Sequence, residues 1–255
     1  MFDHELTLEG QRLEKLSEWL DPGTARYFDQ IGVGPGWRVL EVGAGAGSVA
    51  RMLSERVGPS GSVLATDLDL KFLDALDLPN VNVQKHDILN DPLPEDSFDL
   101  VHTRLVLMHL PAREEALKRM VAAAKPGGWI FIEDMEFLTW INVTPSEPMT
   151  RVKAALEKLF ELAGADPTLG RKLPMLMEGA GVTDVSLEGR VAWGHRWDNP
   201  GLQMFKLQLI ELREFLANTG AVTGEDIDAA IATIDDPAWV GMPPMIVAAY
   251  GRKPA

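Results

Sequence analysis

A glycine-rich turn is the feature of this sequence whose residue types and spacing best suit chemistry. The run VLEVGAGAGSVARML places Gly43, Gly45 and Gly47 directly after an apolar stretch and before a stretch of helical character. Glycine permits a tight turn and lets a ligand approach backbone N–H groups closely. The start of a helix adds partial positive charge, so this turn is suited to binding a polar or anionic cofactor.

Acidic residues end the next two apolar stretches, SVLATD and VNVQKHD. Asp67 ends the first of these stretches, and Asp87 ends the second. A carboxylate about 20 residues beyond a glycine turn can accept both hydrogen bonds of a ribose diol, in nicotinamide-binding as in nucleoside-binding sites. The alternative for Asp67 is a capping role at the start of a helix over 69–76.

These residues need strands that end at one edge of a sheet. Short segments rich in Val, Ile and Leu are typical of buried parallel strands, and the segments between them have helical periodicity. The predicted strands are 38–42, 62–67, 81–87, 98–104 and 129–134, and the predicted helices are 47–57, 69–76 and 111–124. Alternation of this kind favours a doubly wound α/β sheet, which binds ligands at the carboxyl ends of its strands.

The rest of the chain is predicted to surround this core. The predicted segments are N-terminal helices that cover the cofactor site (1–36), the cofactor-binding core (37–135), a helical cap with one sheet strand near 182–192 (136–243) and a final sheet strand (244–255). Pro22 and Gly23 are expected to divide the N-terminal region into two helices. The helices predicted in the cap are 149–163, 171–179, 201–217 and 224–234.

The composition limits the partners of the protein. The chain has 255 residues, and 24 basic against 38 acidic residues give a net charge of −14. This charge argues against nucleic acid and anionic membrane surfaces. The absence of cysteine excludes disulfides and cysteine-ligated zinc, and we recognise no other metal site. No apolar run reaches the ~18 residues of a membrane span and no secretory signal is evident, so we expect a cytoplasmic protein.

The order of the motifs resembles a known family. The segments EVGAGAG, ATDLD, HDILNDPLPEDSFDLV, HTRLVLMHLP and AAAKPGGWIFIED follow one another between about residues 25 and 135. In order and spacing they are similar to class I S-adenosylmethionine-dependent methyltransferases, particularly small-molecule enzymes of the quinone-biosynthesis type. The resemblance implies a mostly parallel seven-stranded sheet with added helices as a cap, and S-adenosyl-L-methionine as cofactor. It implies methyl transfer to an O, N or C atom of a small, aromatic or apolar metabolite.

The resemblance also implies roles for individual residues. Asp67 would bind the ribose, Asp87 would hold the adenine amine and Ile88 would pack on the adenine ring. The end of the fourth strand would line the methionine moiety, although Arg104 has the alternative of a structural ion pair. The predicted cofactor-binding residues are Glu41, Gly43, Ala44, Gly45, Gly47, Asp67, Leu68, Asp87, Ile88, Thr103, Arg104 and Tyr27.

Three residues are candidates for removing a proton from the acceptor. His109 follows the fourth strand, near the expected methyl group, and its alternative is a hydrogen bond to a loop carbonyl. Glu133 and Asp134 end the fifth strand, and their alternative is an ordinary place on the surface. The predicted acceptor pocket consists of Met108, His109, Trp140, Trp193, His195 and Trp197. For each of its apolar members, packing in the core is the alternative.

Two other functions share parts of this pattern. A nicotinamide-dependent oxidoreductase would use the glycine turn and Asp67, but Ser48 replaces the third glycine of its fingerprint and no Tyr-x-x-x-Lys pair is present. A non-catalytic protein that binds S-adenosylmethionine would have the same motifs. Both a monomer and a homodimer remain open at this point.

Overall fold

The computed structural model describes residues 2–73, 76–191 and 199–255, with side chains described from residue 8 onwards within these ranges. The strands are β1 (Arg38–Val42), β2 (Ser62–Asp67), β3 (Val81–Lys85), β4 (Phe98–Arg104), β5 (Ala124–Glu136), β6 (Ile141–Asn142), β7 (Thr183–Arg190), β8 (Gly241–Met242) and β9 (Met245–Arg252). The α-helices are α1 (Phe2–Ile31), α2 (Ser48–Val57), α3 (Arg113–Ala123), α4 (Glu147–Leu162), α5 (Leu173–Gly179), α6 (Pro200–Glu211), α7 (Arg213–Asn218) and α8 (Gly224–Asp235).

The described strands build a seven-stranded sheet in the order β3-β2-β1-β4-β5-β9-β7. β1 pairs in parallel with β2 and with β4, and the pairs β2–β3 and β4–β5 are also parallel. β7 and β9 pair antiparallel. The predicted doubly wound, mostly parallel seven-stranded sheet is therefore confirmed. The order of the strands reverses at β1, with β2 and β3 on one side of it and β4 and β5 on the other, and a sheet of this kind binds ligands in the crevice beyond the end of the strand at that point.

The chain divides into two compact units. The sheet unit consists of Asp21–Glu136, Thr168–Arg190 and Ile246–Ala255, and it holds the main sheet with α2, α3 and α5. The helical unit consists of Met1–Leu20, Phe137–Pro167 and Val191–Met245, and it holds α4, α6, α7 and α8 with the two-stranded pair β6–β8. Helix α1 contributes its first part to the helical unit and its last part to the sheet unit.

Each unit has its own apolar core. In the sheet unit, the rings of Tyr27, Phe28 and Phe131 are buried together with the aliphatic side chains of β1 and α2. In the helical unit, the ring of Phe205 lies 4.5 Å from Trp140 and 6.0 Å from Trp19, measured between ring centroids. Aromatic rings at these distances contribute attraction beyond the area they bury.

Three predicted elements differ from the observed ones. α1 continues through Pro22, because a proline removes a single N–H donor and the buried side chains on both sides of it favour the helix. The predicted helix over 69–76 is wrong for its described residues, where 71–73 form a turn. Asp69 accepts a hydrogen bond from the Lys71 amide at 3.0 Å, and such local bonds compete with a helix. The predicted helix 201–217 is divided into α6 and α7 at Leu212.

The packing of Trp19 on α6 gives a test of the helical unit. A β-carbon at Gly201 would lie 2.8 Å from Cε2 of Trp19, whereas one at Gly179 would meet nothing within 4 Å. We expect Gly201→Ala to lower the free energy of unfolding by about 1–3 kcal/mol, because the indole must shift. Gly179→Ala, the matched control, should stay near wild type in thermal denaturation. Equal melting temperatures for the two variants would contradict this packing.

Candidate active site

The glycine turn has a backbone path that only glycine adopts easily. Gly43, Gly45 and Gly47 have φ angles of +74°, +55° and +78°, all in the left-handed region. A β-carbon at Gly43 would also lie 2.2 Å from Cγ2 of Val106. The amides of Gly43 and Ala44 donate to the carbonyl of Thr66 at 2.8 and 2.9 Å, so the turn is fixed to the end of β2. α2 begins directly after Gly47, as the sequence predicts.

Asp67 is bonded directly to this turn. Its Oδ2 accepts a hydrogen bond from the Gly45 amide at 2.8 Å, and its Oδ1 accepts one from the Asp69 amide at 3.1 Å. No helix starts at Asp67 in the described part of the chain, so the capping alternative is wrong. An ionised carboxylate has about four acceptor positions. The half-buried Asp67 therefore keeps acceptor capacity beside the turn, as a ribose diol requires.

The end of β3 brings a second carboxylate to the same edge. The His86 amide donates to the Asp67 carbonyl at 2.9 Å, which fixes the residues after β3 beside the end of β2. Asp87 accepts hydrogen bonds from the Asn90 side chain at 2.7 Å and the Leu89 amide at 2.9 Å. These bonds lower the pKa of Asp87, so the group is a charged acceptor at neutral pH. Ile88 beside it is buried.

Two of the predicted cofactor-binding residues, Thr103 and Arg104, use their side chains for hydrogen bonds within the protein. The Thr103 hydroxyl donates to the Val42 carbonyl at 2.8 Å and is buried between β4 and β1. Arg104 donates to the hydroxyls of Thr24 and Ser48 at 2.9 and 3.3 Å, and it forms an ion pair of 2.9 Å with Asp21. The structural alternative for Arg104 is thus present, and contact of its side chain with a cofactor stays a prediction. Leu68 is largely exposed.

Glu41 lies in a buried charge cluster that the sequence analysis missed. Its Oε2 is 2.6 Å from Nδ1 of His102, whose Nε2 is 3.4 Å from Oε2 of Glu133. The second distance is long for a hydrogen bond but suits an ion pair. All three side chains are at most 1% exposed. The available signal was a histidine within β4, at the register position beside Glu41 of β1.

His102 is protonated at neutral pH in this environment. Burial by itself lowers the pKa of the imidazole, but the charge of Glu41 and the proximity of Glu133 outweigh it and raise the pKa to about 9. Burial raises the pKa of Glu41, and the His102 charge opposes that rise. A single imidazolium therefore neutralises part of the charge of two carboxylates inside the sheet unit.

The two acidic candidates for proton removal are buried, so the surface alternative is wrong for both. Glu133 accepts a hydrogen bond of 2.5 Å from the Thr24 hydroxyl. Asp134 accepts hydrogen bonds from the Met108 amide at 3.0 Å and the Met135 amide at 2.9 Å. Asp134 thus fixes the short 3-10 turn Leu107–His109, in which Met108 is buried and His109 is exposed. His109 is the candidate that retains access to a substrate.

The remaining predicted site residues are packed or lie outside the described residues. The Tyr27 ring is buried against Phe131, at 5.5 Å between centroids, so Tyr27 is a core residue and its predicted role as a cover is wrong. Trp140 is buried in the core of the helical unit. Trp193, His195 and Trp197 lie outside the described residues.

The described residues contain neither a membrane-spanning helix nor a cluster of metal-binding side chains. No helix in this part of the chain combines the length and the apolar character needed to cross a membrane. No group of three or more His, Cys, Asp and Glu side chains in the same residues is arranged to hold a metal ion.

Comparison with known proteins adds a family match. Residues 40–132 match the family described as a methyltransferase domain. Methyltransferase Str3 of Strobilurus tenacellus is 33% identical over 165 residues, which cover 62% of this chain and 58% of that protein. The ubiquinone/menaquinone biosynthesis C-methyltransferase UbiE of Pseudomonas paraeruginosa is 33% identical over 158 residues, which cover 51% of this chain and 62% of that protein. The chain thus spans less than two thirds of the length of these curated relatives.

A solved structure has the same fold. Phosphoethanolamine N-methyltransferase 2 of Haemonchus contortus, in complex with S-adenosyl-L-methionine, matches 96% of this chain and 53% of its own with a TM-score of 0.57. The two sequences are 18% identical, so the likeness establishes the fold. The sequence-based prediction of a Rossmann-like methyltransferase fold is confirmed.

The buried cluster predicts how stability depends on pH. The pKa of His102 is raised from 6.5 to about 9 by folding, so the folded protein binds more protons than the unfolded chain between these values. The free energy of unfolding should therefore fall as the pH rises from 6.5 towards 9. Thermal denaturation at several pH values measures this slope.

Substitution at His102 should remove that slope. We expect His102→Gln to melt several degrees below wild type at neutral pH, because Glu41 and Glu133 lose their counter-charge. Its melting temperature should then vary less with pH than that of wild type. His109→Gln, at the exposed histidine, is the matched control and should keep the wild-type slope. A wild-type slope in His102→Gln would show that another group titrates.

Proposed function

We propose that the protein transfers the methyl group of S-adenosylmethionine to an O, N or C atom of a small, aromatic or apolar metabolite, and the match of residues 40–132 to the family described as a methyltransferase domain supports this function. The observation that carries the proposal is the hydrogen bond between the Gly45 amide and the Asp67 carboxylate. This bond supports the proposal because it holds a carboxylate, which could accept hydrogen bonds from a ribose diol, beside the glycine turn.

The residues at the sheet edge fit the cofactor. A β-carbon added at Gly45 would meet no atom within 4 Å, so the backbone of the turn is accessible at this residue. Asp67 would hold the ribose, Asp87 would accept from the adenine amine and Ile88 would contact the ring. When bound, the cofactor supplies a methyl group on a sulfonium, which is already activated towards displacement. The protein's main contribution is then to hold the acceptor in line, an effect of roughly 7–11 kcal/mol in well-oriented reactions.

The described residues also indicate how proton removal would be arranged. His109 is exposed at the end of the turn that follows β4, and Asp134 holds that turn through the Met108 amide. We assign His109 the role of proton acceptor and Asp134 that of a positioning residue. Glu133 is excluded from direct contact by its burial and by its hydrogen bond with Thr24.

Calorimetry with three ligands tests the cofactor. S-adenosylmethionine and S-adenosylhomocysteine should bind wild type with micromolar affinity, and NADH should not bind. Asp67→Ala should weaken both sulfur nucleosides roughly tenfold or more, because charge-assisted hydrogen bonds to the ribose are lost. Asp69→Ala, which removes an exposed neighbouring carboxylate, is the control and should change affinity little. Binding of NADH in place of the sulfur nucleosides would overturn the family-based function.

The acceptor is expected to be bound by residues of the helical unit. The support for this expectation is the name of one relative, a ubiquinone/menaquinone biosynthesis C-methyltransferase. Trp140, Phe137 and Phe205 form the buried core of this unit, so the acceptor would contact other residues of it. Replacing residues 192–220 with the corresponding segment of a related methyltransferase should change which acceptors gain one methyl group, as read by mass spectrometry. Cofactor affinity should survive the exchange. Loss of cofactor binding in the exchanged protein would contradict this division of roles.

A further inference from the structure

In the sheet unit, a chain of buried polar contacts joins the strand before the glycine turn to the helix after it. It begins at Glu41, in the strand that leads into Gly43, and it ends at Ser48, which follows Gly47. The methyl transfer proposed above uses none of these side chains directly. The contacts come from α1, β1, β4, β5 and α2, so elements distant in sequence meet at the turn.

Thr24 connects the two halves of this chain of contacts. One half is Glu41, His102 and Glu133, joined by the distances of 2.6 and 3.4 Å given above. The other half is Arg104 with Asp21 and Ser48, where the Ser48 hydroxyl also donates to Asp21 at 3.2 Å.

The direction of the hydrogen bonds at Thr24 is fixed by chemistry. A guanidinium can only donate, so the Thr24 hydroxyl accepts from Arg104 at 2.9 Å. An ionised carboxylate can only accept, so the same hydroxyl donates to Glu133 at 2.5 Å. Thr24 thereby satisfies a buried cation and a buried anion with one group.

We propose that Thr24 is a positioning residue for the cofactor, whose hydroxyl joins the charge clusters at the two ends of the glycine turn and keeps the turn in its binding geometry. This inference rests on the proposed function. Removal of the hydroxyl would take one hydrogen-bond partner from the buried Glu133, which keeps its longer contact with His102, and one from Arg104, which keeps Asp21 and Ser48. With fewer contacts, Arg104 would hold Ser48, the first residue of α2, less firmly.

The charge of His102 also contributes to this chain of contacts. The groups that face its ring are Glu41 from β1, Glu133 and Phe131 from β5, and Phe28 from α1. Arg104 lies on the same strand as His102, and the charge of Glu133 also raises the pKa of Tyr27 on α1. The raised pKa of about 9 keeps the His102 ring charged at neutral pH. When the ring loses its proton, two buried carboxylates face a neutral group, and the contact of Glu133 with Thr24 is disturbed. Cofactor affinity should therefore fall as the pH rises through about 9.

Calorimetric titration of the full chain with S-adenosylhomocysteine tests the proposal, between about pH 7 and pH 10. Thr24→Val keeps the shape of the side chain and removes the hydroxyl, and Thr24→Ser restores the hydroxyl. Ser17→Ala is the matched control on the same helix, because the Ser17 hydroxyl donates to a carbonyl of its own helix, that of Leu13, at 3.0 Å. Asp21→Asn breaks the other half of the chain of contacts and serves if Thr24→Val does not fold.

We expect Thr24→Val to weaken binding roughly five- to tenfold at neutral pH and to lose the decline in affinity near pH 9. Thr24→Ser and Ser17→Ala should stay within about twofold of wild type. A folded Thr24→Val with wild-type affinity and pH profile would overturn the proposal while leaving the cofactor assignment intact, and wild-type affinity in Asp21→Asn would do the same. Failure of wild type to bind S-adenosylhomocysteine at any pH would overturn the proposed function itself.

Discussion

The backbone of residues 43–47 follows its path because three of its positions carry no side chain. At Gly43, a β-carbon would collide with Val106 and would also require a strained left-handed φ angle. At the carboxyl edge of the sheet, the amides of Gly43 and Ala44 then donate to the Thr66 carbonyl, and the Gly45 amide donates to the Asp67 carboxylate. The placement of the turn between β1 and α2 in turn depends on the parallel pairing of β1 with β2 and β4.

Buried charge sets a second constraint on the sheet unit. Glu41, His102, Glu133 and Asp134 are almost completely shielded from water, which is unfavourable for isolated charges. The protein compensates by pairing them with one another, with the Thr24 hydroxyl and with backbone amides. A charged network of this kind tolerates the loss of a single member poorly, since each loss leaves an unmatched partner. We therefore regard the network as a device that fixes geometry at the cost of some stability.

The sequence predicted the parts of the site that depend on local spacing. The glycine turn, Asp67 and Asp87 each follow a strand closely in the chain, so strand prediction placed them at one edge. The buried charge network, in contrast, forms between residues that are neighbours in the register of paired strands. Glu41 is the neighbour of His102 across β1 and β4, and Arg104 is the neighbour of Glu133 across β4 and β5. Neither pair is recognisable from spacing along the chain.

The errors in the sequence analysis have the same origin. Pro22 was expected to end a helix on local grounds, but burial of the residues around it maintains α1. Tyr27 was assigned to the cofactor because it lies on that helix, whereas packing against Phe131 places it in the core. The sequence predicts that Glu133 and Asp134 end the fifth strand, but β5 continues to Glu136, and the two side chains accept hydrogen bonds from Thr24 and from the Met108 amide. Long-range packing decided each of these cases.

A crystal structure of the protein with bound S-adenosylhomocysteine would show whether Asp67 binds the ribose. We expect both ribose hydroxyls to lie within hydrogen-bond distance of the Asp67 carboxylate, with the adenine against Ile88 and beside Asp87. Nucleoside density elsewhere in the molecule, or a ribose turned away from Asp67, would contradict it.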